Sequence, residues 1–148
     1  YGRSKNRNPS QEWWERLVAK LIASSINVYH FGYFKEPKLS ENEKYYHNLT
    51  NLDFFNQIKI SLGCKLAIGT DSGSMWVLAA YNHPIIILGT NWYDNHTENL
   101  KATIPPIKNG ECIFNQNNFL NLRTDEIYDK ILSYGVKNEN FIDKIFKF

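Results

Sequence analysis

Apolar positions along the chain switch between helical spacing and short continuous runs. Recurrence of apolar residues every three or four positions predicts five helices. The first begins at 8–11, the second follows an Asp53 cap and stops at Gly63, and the third spans Gly73 to Tyr81. The fourth runs from a Thr124 cap to Gly135, and the last one holds Phe141, Ile142, Ile145 and Phe146. Short β-rich runs predict strands at 26–31, within 45–52, at 65–69 and at 84–89, and 91–123 reads mostly as loop. Helices that alternate with strands favour a parallel sheet covered by helices. We therefore predict an α/β, three-layer, Rossmann-like fold that forms a single domain over residues 1–148.

The run from Ile85 to Gly89 is the most hydrophobic part of the chain. Apolar residues at every position are typical of a central parallel strand, because both of its faces are covered. At the first helix, Asn8 is the expected cap, Pro9 suits the first helical position and Gln11 can complete a capping box. A doubly wound domain has a strand before its first helix, whereas only a polar octapeptide stands there. We expect that strand either to belong to a longer protein, of which this chain is a fragment, or to be very short.

Composition narrows the function. The 148 residues are 43% hydrophobic, enough for the core of one domain. A net charge of +2 from 17 basic and 15 acidic residues gives no field that predicts a nucleic-acid partner. No apolar run reaches the roughly 20 residues of a membrane span. Cys64 and Cys112 form no CxxC motif, so we expect two incidental thiols, with a single bridge as the alternative.

The segment 66–80 carries the chemistry. It reads as a strand, a tight Gly/Ser turn and a helix. The first N–H groups of a helix are unpaired and carry about half a positive charge, which suits a phosphate or diphosphate. Ser72 and Ser74 can add hydrogen bonds, whereas Asp71 is expected to cap the helix, order the turn or accept from a sugar hydroxyl. The alternative is that Asp71 and Ser72 are only caps of an ordinary helix.

The residues Ile-Gly-Thr-Asp-Ser-Gly-Ser-Met at 68–75, an Ala-Ala helix and then Pro-Ile-Ile-Ile-Leu-Gly resemble a known signature. It is that of the heptosyltransferase-like enzymes of glycosyltransferase family 9. The resemblance covers most of the chain and implies the C-terminal, donor-binding domain of a two-domain GT-B enzyme. It implies a nucleotide-diphosphate sugar as donor substrate, a glycan or lipid-linked acceptor, no metal and no covalently bound cofactor. It also implies lipopolysaccharide biosynthesis, in the cytoplasm or peripheral at the inner membrane.

The resemblance assigns roles residue by residue. Lys5 or Arg7 would meet the donor phosphates, and Glu36, after Phe31-Gly32, would bind the nucleotide ribose. The helix start would hold the diphosphate with Thr70, Asp71, Ser72, Gly73, Ser74 and Met75. The family's catalytic base lies in the N-terminal domain, the expected partner, so no catalytic residue is assigned here. Trp76 stands where the family usually has His, which leaves the sugar and the activity open.

Two other functions remain open. Asp71-Ser72-Gly73-Ser74 copies the motif of aspartic proteases, whose two carboxylates share a proton. Ile87-Leu88-Gly89 resembles the second hydrophobic-Gly element of those proteases, but Asp71 and Gly89 are only eighteen residues apart. The segment that follows Asp71-Ser72-Gly73-Ser74 is also helical in pattern, which does not suit a protease of this type. The domain can also be a non-catalytic nucleotide-binding or interaction module. Its aromatic residues come in adjacent pairs: Trp13-Trp14, Tyr45-Tyr46 and Trp92-Tyr93. Adjacent side chains on a helix point in different directions, which favours one ring in the core and the other at a surface or interface, but for Trp13 and Trp14 we favour core packing. Trp92-Tyr93 follows the most buried strand, at the carboxyl edge where ligands bind, and could stack on a base or a sugar.

Overall fold

The computed structural model describes residues 8–90, 107–115, 122–136 and 144–147. The helices in these ranges are α1 (Gln11–Ala23), α2 (Phe54–Leu62), α3 (Gly73–Ala80) and α4 (Thr124–Ser133). The strands are β1 (Asn27–His30), β2 (Tyr46–Asn48), β3 (Leu66–Thr70), β4 (Ile85–Thr90), β5 (Gly110–Asn115) and β6 (Lys144–Lys147).

The six strands form one sheet in the order β2-β1-β6-β3-β4-β5, and every neighbouring pair is parallel. Two separate apolar clusters cover its faces. One face packs against α1 and α4, and the other against α2 and α3. The predicted α/β, three-layer, Rossmann-like fold is therefore confirmed.

Strand β4 has the buried character that its sequence predicts. The residues Ile85, Ile86, Ile87 and Leu88 are all 0% exposed, and β3 and β5 pair with β4 on either side. The alternate side chains of β4 enter the two opposite apolar clusters. A strand that is covered on both faces needs this continuous apolar run.

Two helix starts differ from the predicted ones. Ser10, not Asn8, is the N-cap of α1, and its Oγ accepts a hydrogen bond from the Trp13 N–H at 3.2 Å. Pro9 therefore precedes the helix. At α4 the cap position is Arg123, without a side-chain cap bond, and Thr124 is the first helical residue. The Asp53 cap of α2 is confirmed, because its side chain accepts from the Asn56 N–H at 3.1 Å.

The predicted last helix is wrong. Residues 144–147 form strand β6, which lies between β1 and β3 in the middle of the sheet. A four-residue strand is too short to show an alternating pattern, and its partners lie far away in sequence, so local spacing misses it. Strand β5 likewise corrects the interpretation of 91–123 as mostly loop; the rest of that segment lies largely outside the described residues.

The Trp13-Trp14 pair lies in the core, as expected. Both indoles are buried, at 4% and 3% exposed, and their rings meet edge to face with centroids 5.0 Å apart. The Trp13 Nε1–H donates to the Leu122 carbonyl at 2.7 Å, which satisfies the buried donor. Helix α4 covers the side of α1 that would otherwise face water, and Lys20 and Asp125 form an ion pair between the two helices.

Candidate functional site

The candidate site lies at the carboxyl edge of the sheet. Because all strand pairs are parallel, the segments that follow β1 and β3 emerge at this same edge. His30 of β1 and Ile68 of β3 are both level with residue 147 of β6. The loop that holds Glu36 and the start of α3 thus flank β6, about 10 Å apart by the spacing of two strand intervals.

The start of α3 is open and polar. Ser72 is its N-cap residue, but its side chain makes no cap bond, and its buried Oγ has no hydrogen-bond partner among the described residues. A Cβ at Gly73 would meet nothing within 4 Å. The backbone at Gly73 is therefore open on its Cβ side, next to the first N–H groups of the helix, which are the groups that bind anions at helix starts.

Asp71 is held by Trp76. The indole Nε1–H donates to Asp71 Oδ1 at 2.7 Å, and the ring packs against the cluster on the α2–α3 face. Of the three expected roles for Asp71, capping is wrong, because Ser72 occupies the cap position. The bond instead ties the turn to the first turns of α3. Trp76 thus orders the segment before the helix.

Two of the predicted site residues lie in packed surroundings. Met75 is 0% exposed within the α2–α3 cluster, so only its backbone N–H can reach a ligand at the helix start. Thr70, the last residue of β3, is also buried. Ser74 is half-buried in the first turn of α3.

Glu36 lies in the loop that follows β1. Its side chain is 37% exposed, and its Oε2 lies 3.3 Å from His30 Nε2. Its Oε1 accepts from the Tyr33 N–H at 3.4 Å. A Cβ at Gly32 would lie 2.8 Å from the Glu36 carboxyl carbon, so the carboxylate occupies the space that a side chain at residue 32 would need.

His30 was not among the predicted site residues. It is 0% exposed at the last position of β1, and its Nδ1 lies 2.7 Å from the Tyr46 hydroxyl. The sequence does contain a signal for His30, because this polar residue ends a β-rich run and lies six residues before Glu36. The missing information was the pairing of β1 with β2, which brings Tyr46 to the ring.

Lys5, Arg7 and the Trp92-Tyr93 pair lie outside the described residues. Of the Tyr45-Tyr46 pair, Tyr46 is buried and Tyr45 is half-buried.

Neither thiol offers an activated nucleophile. Burial, with a smaller effect of the Asp71 carboxylate, raises the pKa of Cys112 to about 12. Its thiol is therefore protonated at neutral pH and a poor nucleophile. Cys64 is buried, and neither cysteine forms a disulfide with a described residue. The described residues contain no group of three or more His, Cys, Asp and Glu side chains placed to hold a metal ion.

Comparison of the chain with protein-family models, curated proteins and solved structures finds no match. Among the described helices, none combines the length and the apolar character needed to cross a bilayer.

Proposed function

We propose that the chain is the donor-binding domain of a GT-B glycosyltransferase of the heptosyltransferase-like type. The junction of β3 and α3 carries the proposal. There a buried strand leads directly to a helix start with open space at Gly73 and a Ser72 hydroxyl that has no hydrogen-bond partner in the described parts of the chain. This arrangement suits the diphosphate of a nucleotide sugar, which is small at its phosphate oxygens and strongly negative.

The chemical contribution of such a site is electrostatic. A nucleoside diphosphate gains negative charge as it leaves the sugar, and a helix N-terminus with about half a positive charge stabilises that charge. Lys5 or Arg7 would add a cation. The catalytic base would come from an N-terminal domain of the same protein. The full protein would transfer the sugar to a glycan or lipid-linked acceptor, in the cytoplasm or at the inner membrane surface.

A second candidate is a non-catalytic nucleotide-binding or interaction module. The observation that favours it is Trp76, whose indole occupies the Asp71 carboxylate where the family usually has His. We do not propose an aspartic protease, because those enzymes have an all-β fold. In this chain Asp71 and Ser72 lead directly into helix α3, and the sheet is parallel and covered by helices.

The first test is calorimetric titration of the chain with ADP, GDP, UDP and CMP. We expect one of them to bind, and to bind more weakly at high salt because ionic contacts are screened. Gly73→Val should weaken that binding by more than about tenfold, which is about 1.4 kcal/mol, because the side chain fills the space at the helix start. The structure has room for this side chain, so thermal unfolding should change little.

Ala80→Val is the matched control. It enlarges an exposed residue at the other end of the same helix and should leave the titration unchanged. Equal binding by Gly73→Val and the unsubstituted chain would contradict the helix-start site. Absence of binding by all four nucleotides at millimolar concentration would contradict the donor-domain proposal and favour the interaction module.

A further inference from the structure

A chain of hydrogen bonds runs through the interior of the domain and ends on Glu36. The Leu39 N–H donates to the Tyr46 hydroxyl at 3.0 Å. That hydroxyl lies 2.7 Å from His30 Nδ1, and His30 Nε2 lies 3.3 Å from Glu36 Oε2. The Tyr46 and His30 side chains are buried, whereas the Glu36 side chain reaches the surface at the carboxyl edge of the sheet.

The direction of each bond follows from its end. An ionised carboxylate can only accept, so His30 Nε2 must carry the hydrogen that faces Glu36. In the neutral imidazole Nδ1 is then an acceptor, and the Tyr46 hydroxyl donates to it. Burial raises the pKa of Tyr46, which keeps this hydroxyl protonated. The contacts thus select one ring tautomer.

The same contacts define where the carboxylate lies. Glu36 packs over Gly32, where a Cβ would come within 2.8 Å of the carboxyl carbon, and its second oxygen accepts from the Tyr33 N–H. The α2 side chain Gln57 holds this turn in place, because its Nε2–H donates to the Gly32 carbonyl at 3.1 Å. A partly exposed carboxylate is therefore oriented by three separate elements of the fold.

We propose that His30, fixed by Tyr46, is a positioning residue that orients Glu36 to accept hydrogen bonds from the ribose hydroxyls of the nucleotide. This inference rests on the proposed nucleotide site and on the ribose role that the family resemblance implies for Glu36, and it adds the two residues that orient the carboxylate. The recognised class is a ribonucleotide, since a 2′-deoxyribose lacks one of the two adjacent donors. Removing the Tyr46 hydroxyl takes away the hydrogen-bond donor that holds the ring at Nδ1, so the ring and the carboxylate lose their fixed orientation, whereas the start of α3 is not touched.

The test compares ADP, GDP and UDP with their 2′-deoxy counterparts, and with inorganic pyrophosphate, by titration. We expect a preference for the ribonucleotide of about tenfold, as for one hydrogen bond to a charged group. Tyr46→Phe and Glu36→Gln should reduce the preference toward unity and leave pyrophosphate affinity unchanged. Tyr45→Phe, which removes the neighbouring half-buried hydroxyl, is the matched control and should keep the preference.

A second readout is the ¹⁵N spectrum of the histidine rings. We expect a His30 ring with the hydrogen on Nε2 in the unsubstituted chain, and in Tyr46→Phe a changed signal of Nδ1, which loses its hydrogen-bond donor. Hydrogen on Nδ1, or a ribose preference unchanged in Tyr46→Phe, would overturn the role of His30. Absence of binding by all the nucleotides and by pyrophosphate would instead overturn the proposed function, and the ribose role with it.

Discussion

At the scale of single residues, His83 is a buried polar residue that the proposed site does not use. Its side chain is 7% exposed, and its Nε2 has no hydrogen-bond partner within the described part of the chain. Its backbone N–H donates to the Leu78 carbonyl at 3.1 Å, which holds the ring at the end of α3. Burial disfavours the charged imidazolium, so the pKa of His83 is lowered from its ordinary value.

This lowered pKa makes stability depend on pH. The unfolded chain binds a proton near pH 6.5, whereas folded His83 binds it only at lower pH. The contribution of His83 to the free energy of unfolding is thus fully present above about pH 6.5. It falls as the pH drops through the window between the two pKa values.

Denaturant unfolding between pH 8 and pH 5 measures this dependence. His83→Phe, which keeps a ring but cannot titrate, should lose stability less steeply toward pH 5 than the unsubstituted chain. If the free energy of unfolding fell equally with pH in both proteins, burial of His83 would not make stability depend on pH.

At the scale of elements, α2 shows how packing selects a helix face. The sequence suggests an apolar helix that carries Phe54, Phe55, Ile58 and Leu62. Of these only Ile58 is buried, at 7% exposed, whereas Phe54, Phe55 and Leu62 are 46%, 82% and 37% exposed. The buried face also holds Gln57, whose amide donates to the carbonyls of Gly32 and Leu52. The helix is thus oriented by two backbone acceptors as well as by apolar area.

Alanine substitutions on the two faces of α2 separate these contributions. Ile58→Ala should lower the free energy of unfolding by about 2–4 kcal/mol, since it leaves a cavity in the α2–α3 cluster. Phe55→Ala removes more atoms from the same helix but should change stability by no more than about 0.5 kcal/mol, because the ring is exposed. Urea unfolding of both variants gives the comparison. A larger loss in Phe55→Ala would mean that this ring is covered in solution.

At the scale of the whole molecule, β6 joins the two halves of the sheet. Among the described strands, β1 and β3 are not paired with each other, and both pair with β6. The first helix has no strand before it in the described residues, and a strand from near the other end of the chain lies at the centre of the sheet. The halves that carry Glu36 and the start of α3 are therefore aligned by β6.

A proline in β6 tests this arrangement. Ile145 pairs with Val28 on one side and Leu66 on the other. Ile145→Pro removes a backbone donor from the middle of the sheet, so we expect a loss of about 2 kcal/mol or more in the free energy of unfolding. Ile145→Val keeps the backbone donor and is the control. If thermal unfolding of the proline variant matched that of the control, β6 would not be a central strand.

Local pattern determined the parts of this protein that depend on neighbours in sequence. The continuous apolar run identified β4, the Asp53 cap identified the start of α2, and the Gly/Ser turn after β3 identified the open helix start. These features arise from propensity, capping and the need of a central strand to be apolar on both faces. The α/β class follows from their order along the chain.

Tertiary structure alone decided the rest. Strand β6 is a strand because β1 and β3 leave a place between them, and no four-residue pattern encodes distant partners. His30 meets Tyr46 only through the pairing of β1 with β2, and Trp76 meets Asp71 only when the turn closes onto α3. Sequence spacing predicts which residues can form an element, whereas hydrogen-bond partners and buried faces depend on how the elements pack together.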